Sequence, residues 1–169
     1  MKQQLLIITI LASCALVNCN EYRIFKSAED NQYFILPDQN FTWQESLEEC
    51  ESRNMELLTI ESKEKALEIR KLLERVFSGQ PLPRFYLGAN DFDKFRQFTW
   101  ISTQISGPFT YTNWEKSEPN NYKKENERCV HIGYHGTDEW NDINCKVKNG
   151  FICQEKWEWQ DCKEADTKH

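Results

Sequence analysis

Residues 118–145 read EPNNYKKENERCVHIGYHGTDEWNDINC, and the order of acids, amides and cysteines within them governs how the rest of the chain is read. Glu118, Glu127 and Asp142 bring three carboxylates, and Asn120 and Asn141 bring two carboxamides. Side-chain oxygens of this kind suit Ca²⁺, a hard cation that takes about six to eight oxygen ligands. A main-chain carbonyl, such as that of Asp142, would add another and leave open positions for an external ligand. Pro119 stiffens the link between Glu118 and Asn120 and would hold both on one side, above all if its peptide bond is cis. A disulfide between Cys129 and Cys145 would close a loop of about 16 residues, worth about 3 kcal/mol in chain entropy, and would pin Glu127 against Asn141 and Asp142. Taken singly each piece is ordinary, a turn or a solvated loop. The specific feature is their order around the cysteine pair.

Upstream of this stretch the chain reads as helix and strand. Residues 33–36 (YFIL) predict a strand ended by a Pro37-Asp38 turn. Thr42 followed by Glu45 is a capping-box pattern that opens a helix to about Arg53, with Leu47 and Cys50 on one face. Residues 57–60 (LLTI) predict a short buried strand. A second helix is expected over 63–77, with Leu67, Leu73 and Phe77 on its apolar side and Ser78-Gly79 as the stop. From Phe85 onward helical periodicity ends. Short apolar runs at 85–87, 98–101, 129–132 and 151–153 alternate with turns, and a long polar stretch lies between 103 and 131. Loops of that length in a compact domain are commonly functional. Helices first and strands after predict an α+β fold.

The ends and the composition bound the setting. Lys2 and the apolar residues 5–17 form a signal-peptide pattern, too short to span a bilayer and with cleavage expected near Asn20. Leu11-Ala12-Ser13-Cys14 also fits a bacterial lipobox, which would place a lipid on Cys14. The expected layout is a signal peptide over 1–19, one domain over 20–155 and a polar tail over 156–169. The expected destination is the extracellular space. A net charge of −6 with no basic stripe offers no footprint for nucleic acid, and no apolar segment predicts membrane insertion of the mature chain. Seven cysteines in an exported chain point to disulfides. With Cys14 and Cys19 removed an odd number remains. Asn40-Phe41-Thr42 is an N-glycosylation sequon at Asn40.

Residues 33–153 resemble a short-form C-type lectin carbohydrate-recognition domain of the secreted, single-domain invertebrate kind. Trp140-Asn141-Asp142 is identical to that family's ligand tripeptide, and Phe85-Tyr86-Leu87-Gly88 is similar to its Trp-Ile-Gly-Leu core motif. The resemblance implies an outer disulfide Cys50–Cys153 and an inner one Cys129–Cys145. It also implies one Ca²⁺ held by Glu118, Asn120, Glu127, Asn141 and Asp142, the same five residues forming the sugar site. Glu118 and Glu127 would accept hydrogen bonds from two vicinal sugar hydroxyls, while Asn120 and Asn141 would donate. The Glu-Pro-Asn order implies mannose-type ligands with equatorial 3- and 4-hydroxyls: mannose, N-acetylglucosamine, glucose or fucose on cell or microbial surfaces. Asn121 and Arg128 stand where some relatives carry acids for an auxiliary Ca²⁺, so one metal site is expected rather than two. Cys162 lies outside both implied disulfides. It reads as an intermolecular bridge joining two chains, as a free or capped thiol, or as a partner of Cys19.

An enzyme is not expected. His131 and His135 lack a nucleophile motif and the H-E-x-x-H arrangement of zinc peptidases, and His131 reads as a strand residue. Trp100, Trp114 and Trp140 read as core aromatics. The expected function is glycan recognition in innate immunity. The alternative is a sugar-independent relative that binds a protein target, as in salivary interference with haemostasis.

Overall fold

The computed structural model describes residues 24–102, 106–124 and 126–156. The expected signal peptide, Cys14, Cys19, Cys162 and the tail beyond Lys156 lie outside them. Within them the fold is α+β, with elements in the order β1 (Ile24–Lys26), β2 (Gln32–Phe41), α1 (Trp43–Glu51), β3 (Met55–Leu57), α2 (Lys63–Phe77), β4 (Phe85–Asn90), β5 (Thr99–Ile101), β6 (Ser106–Pro108), β7 (Cys129–Ile132), β8 (Trp140–Ile143) and β9 (Asn149–Glu155).

Both helices begin where the capping residues place them. Thr42 accepts from the Glu45 amide, and Glu45 reaches back to the Thr42 amide at 2.7 Å, which satisfies two otherwise orphaned donors. Ser62 caps α2 by accepting from the Lys65 amide at 3.0 Å, and Ser78, left-handed at φ 50°, ends it. The buried face of α2 is Ala66, Ile69, Leu72 and Leu73, whereas Leu67 is exposed. Leu67 therefore does not belong to the apolar side expected of it. Leu73 does, and the buried positions Ala66, Ile69, Leu72 and Leu73 keep helical spacing.

β2 also differs from expectation. It continues through Pro37 and Asp38 to Phe41 rather than turning. Its ladder with β9 breaks register between Leu36 and Phe41, and residues 37–40 are exposed. A proline that donates nothing is tolerated at such an unpaired, solvent-facing position. Asn40 of the sequon lies on this exposed stretch.

The sheet runs β1-β2-β9-β4-β5-β6, with β3 also on β9 and the β7–β8 pair attached through β4. β2 lies antiparallel to β9 and β4 lies parallel to it. One apolar cluster fills the space between α2 and the sheet, using Leu58, Ile69, Leu72, Phe85, Leu87, Trp100 and Trp140. A second gathers Phe34, Trp43, Leu57, Tyr86 and Phe151 around the disulfides. Cys50 is bonded to Cys153 and Cys129 to Cys145, the two pairings that the resemblance implies. Trp100 and Trp140 are buried edge to face at 5.5 Å, with Trp114 against Trp140 at 5.7 Å, so all three tryptophans serve the core.

Candidate functional site

The β7–β8 hairpin sets the geometry. Antiparallel register places His131 opposite Asn141 and Val130 opposite Asp142, so Asn141 and Asp142 leave the strand on opposite faces. The inner disulfide closes this hairpin at its open end, joining Cys129, which is paired with Ile143, to Cys145 just past β8. The Glu118–Pro119 peptide, in the loop that approaches β8, is cis.

Asp142 is fully buried and organises that loop. Its carboxylate accepts from the Asn120 amide at 2.9 Å and from the Asn121 amide at 2.8 Å, and Arg96 Nη1 lies 3.5 Å away. Arg96 also donates to the Pro119 carbonyl. Asn120 Nδ2 donates to Glu118 Oε1 at 2.7 Å. Glu127 accepts from the Tyr122 amide, and its own amide donates to Asn121 Oδ1 at 3.0 Å. On the other face, Asn141 Nδ2 donates to the Asp142 carbonyl at 2.6 Å and faces His131 Nε2 at 3.1 Å. His131 Nδ1 lies 3.1 Å from the Ile132 carbonyl. Burial, with a smaller contribution from the nearby positive charge of Arg84, holds the imidazole pKa down at about 4, so the ring is neutral at physiological pH. With Nδ1 donating to that carbonyl, Nε2 is the acceptor that orients the Asn141 amide.

Glu118, Asn120, Glu127 and Asn141 all line one cavity of about 210 Å³, while Asp142 sits behind it. A larger, open cavity of about 500 Å³ between α2 and residues 136–139 contains none of the five.

The fit to a cation rests on charge. Glu118 Oε2 is buried with no donor in reach. Burial, then the Asp142 carboxylate, then Glu127, pushes the Glu118 carboxyl up to about 7. Carboxylates that crowd one another need either a proton or a cation between them. The carboxamides of Asn120 and Asn141 line the same cavity and offer oxygens of the kind a hard cation accepts. Among the described residues no group of three His, Cys, Asp or Glu side chains is assembled to hold a metal by itself. The Asp142 carbonyl, expected as a further ligand, is also the acceptor of the Asn141 amide.

The residues at the auxiliary positions have structural partners. Arg128 Nε pairs with Asp91 Oδ1 at 2.7 Å, and Asn121 accepts from Glu127 as above. The sequence reading missed His131 as the partner of Asn141, and it missed the buttress of Asp91, Arg96 and Arg128. The hairpin register would have revealed the first: with Cys129 opposite Ile143, residue 131 falls opposite residue 141. The buttress joins residues far apart in the chain, and no local pattern announces it.

A Lectin C-type domain matches residues 39–155, and the chain belongs to that family. It is 34% identical over 135 residues to lectin subunit alpha of Sarcophaga peregrina, a match covering 76% of this chain and 46% of that protein. The chain thus spans under half the length of that relative. It is 31% identical to salivary C-type lectin 2 of Aedes albopictus, covering 86% of this chain and 94% of the relative. Among solved structures it is similar to the C-type lectin domain of murine dendritic cell inhibitory receptor 2 in complex with N-glycan. That likeness has 32% identity and a TM-score of 0.60, over 75% of this chain and 91% of that one. C-type lectin domains generally bind Ca²⁺ and glycans, and the family is one of carbohydrate recognition rather than catalysis. No helix among the described residues is long and apolar enough to cross a membrane.

Proposed function

We propose that this chain is a secreted, Ca²⁺-dependent lectin of mannose-type specificity that holds one metal ion through Glu118, Asn120, Glu127, Asn141 and Asp142. The observation that carries this reading is the buried, donorless Glu118 Oε2 crowded by Asp142 and Glu127 at the wall of a small open cavity. When bound, the metal supplies open coordination positions for two vicinal sugar hydroxyls. Glu118 and Glu127 accept hydrogen bonds from those hydroxyls, and Asn120 and Asn141 donate to them. For Asn141 this means sharing the hydrogens now directed at His131 and the Asp142 carbonyl. Asp142 contributes mainly by fixing Asn120 and Asn121 through their amides.

Export would remove residues 1–19, leaving the domain over 20–155 and the polar tail over 156–169, with glycan on the exposed Asn40. A single shallow sugar site binds weakly, and an interchain bond through Cys162 would supply avidity. The ligands are mannose-, N-acetylglucosamine- or fucose-type glycans on microbial or foreign cells, and the role is innate recognition. The salivary relative favours a second reading, action on a host target from saliva.

The test is retention of the secreted protein on mannose-agarose in millimolar Ca²⁺. EDTA should release it, galactose-agarose should not retain it, and Asn141→Ala should abolish retention. Absence of retention, with Ca²⁺ binding intact, would move the function to a protein target.

A further inference from the structure

The cavity that holds the four site side chains has a cationic wall. Arg84 lines it just before β4, and its backbone is fixed because its carbonyl accepts from Gln39 Nε2 at 2.9 Å and from the Gly150 amide at 3.0 Å. The guanidinium lies over the ring of Tyr134, 5.3 Å from the centroid. Tyr134 is itself held by His135, with ring centroids 4.2 Å apart, and by the edge of His131 at 6.0 Å, yet it remains 39% exposed. It is therefore a preset aromatic surface at the cavity's edge rather than a core residue.

The charge of Arg84 is unmatched. Arg53, Arg70, Arg96 and Arg128 each have a carboxylate within 4.0 Å, and Arg75 donates to the Lys26 carbonyl, whereas among the described residues no Asp or Glu reaches Arg84, whose contact is the Tyr134 ring. In a chain with 27 acids against 21 bases, an arginine lining the same cavity as Glu118 and Glu127 and paired with neither is unexpected. Its field reaches the site, since it is one of the influences acting on His131. Once a divalent cation offsets most of the charge of Glu118, Glu127 and Asp142, Arg84 is left as an adjacent positive group with donors in a planar fork that suits carboxylate or sulfate.

We infer that Arg84 and Tyr134 form a subsite for an acidic substituent on the bound glycan, with the acid group on the guanidinium and the sugar face against the tyrosine. This rests on the lectin reading above, and it narrows the ligand class to glycans carrying a uronic carboxylate or a sulfate near the hydroxyl pair taken at the metal.

Two pairs of sugars that share equatorial 3- and 4-hydroxyls and differ at carbon 6 test it: glucose against glucuronic acid, and N-acetylglucosamine against its 6-sulfate. Dissociation constants for the full-length secreted protein would come from ¹H–¹⁵N titrations with free Ca²⁺ held in excess. At low ionic strength the acidic member of at least one pair should bind about threefold more tightly, the preference shrinking as salt is raised. The pair that responds identifies carboxylate or sulfate as the group. Arg84→Gln should bring the ratio to one, and Arg84→Lys should retain part of it. Equal affinities within both pairs in the unsubstituted protein would overturn the subsite, as would a preference that survives in Arg84→Gln. Failure of all four sugars to bind would defeat the lectin reading itself, and the subsite with it.

Discussion

Asn141 shows how much of the site depends on a single hydrogen bond. Its amide nitrogen is drawn to His131 Nε2 and to the Asp142 carbonyl, which leaves the amide oxygen as the atom it offers to a cation. Removing the imidazole acceptor frees the amide to rotate. Partners of this kind behind a metal ligand are commonly worth about 10- to 100-fold in metal affinity. His131→Phe should therefore weaken Ca²⁺ binding about tenfold by calorimetry, with the near-ultraviolet circular dichroism preserved. His131→Gln, whose side-chain oxygen can accept from Asn141, should recover most of the loss. Equal Ca²⁺ affinity in His131→Phe would assign the histidine to packing alone. At this scale the sequence was informative about which side chains matter and silent about how they are held. Glu118, Asn120, Glu127 and Asn141 could be named from chemistry and order, and they do line one cavity. That Asp142 faces the other way follows from strand alternation, which became apparent only once residues 140–143 were seen to be a strand. Trp140-Asn141-Asp142-Ile143 is buried on both faces, so it lacks the period-two pattern that marks a half-exposed strand.

The helices were legible because capping is local chemistry. Glu45 closes the box at the start of α1 and also meets Lys148. Lys148, and after it the amide and hydroxyl of Thr42, hold its carboxyl down at about 2, against an ordinary value near 4.5. The folded chain therefore keeps this group ionised where the unfolded chain would protonate it. The stabilisation is complete above the unfolded value and is lost as pH falls toward about 2. Glu45→Gln should melt at a lower temperature than the unsubstituted chain at neutral pH, and the gap should close as the pH is lowered through that window. A gap independent of pH would mean that the glutamate acts through packing. Strand ends were less legible, because they are set by partners rather than by local sequence. β2 continues past Pro37 because β9 and the solvent allow it, and Gly150 marks the place where the two come closest. A Cβ on Gly150 would stand 2.4 Å from the Leu36 carbonyl oxygen and 3.1 Å from Pro37 Cα, both backbone atoms with little room to move. Gly150→Ala should cost about 1–3 kcal/mol in urea denaturation, the usual range for overpacking. In a sequence, that glycine looks no different from one in an exposed turn.

Across the whole domain the two disulfides have separable tasks. Cys50–Cys153 ties α1 to β9 across 103 residues, and Cys129–Cys145 closes the site hairpin across 16. Loop-closure entropy assigns about 4.7 kcal/mol to a bridge of the first length and about 3 kcal/mol to one of the second. Binding should rank them the other way. The inner bridge brackets β7 and β8, and so fixes Glu127, at the entrance of one strand, relative to Asn141 and Asp142 on the other. Its Cys145 carbonyl also accepts from the Trp43 amide at 3.0 Å, which couples the hairpin to the start of α1. Replacing Cys50 and Cys153 together by alanine should give the larger loss of unfolding free energy but leave Ca²⁺ affinity near that of the parent, measured below the midpoint of unfolding. Replacing Cys129 and Cys145 should give the smaller loss of stability and the larger loss of Ca²⁺ affinity, because the carboxylates on the two sides of the cavity would no longer be held together against their mutual repulsion. Added Ca²⁺ should then stabilise the inner-bridge variant less than the outer-bridge variant at the same concentration, since stabilisation by a ligand follows its affinity for the folded state. If both variants lost stability and Ca²⁺ affinity in the same proportion, hairpin and scaffold would be one cooperative unit and the division of labour would not hold.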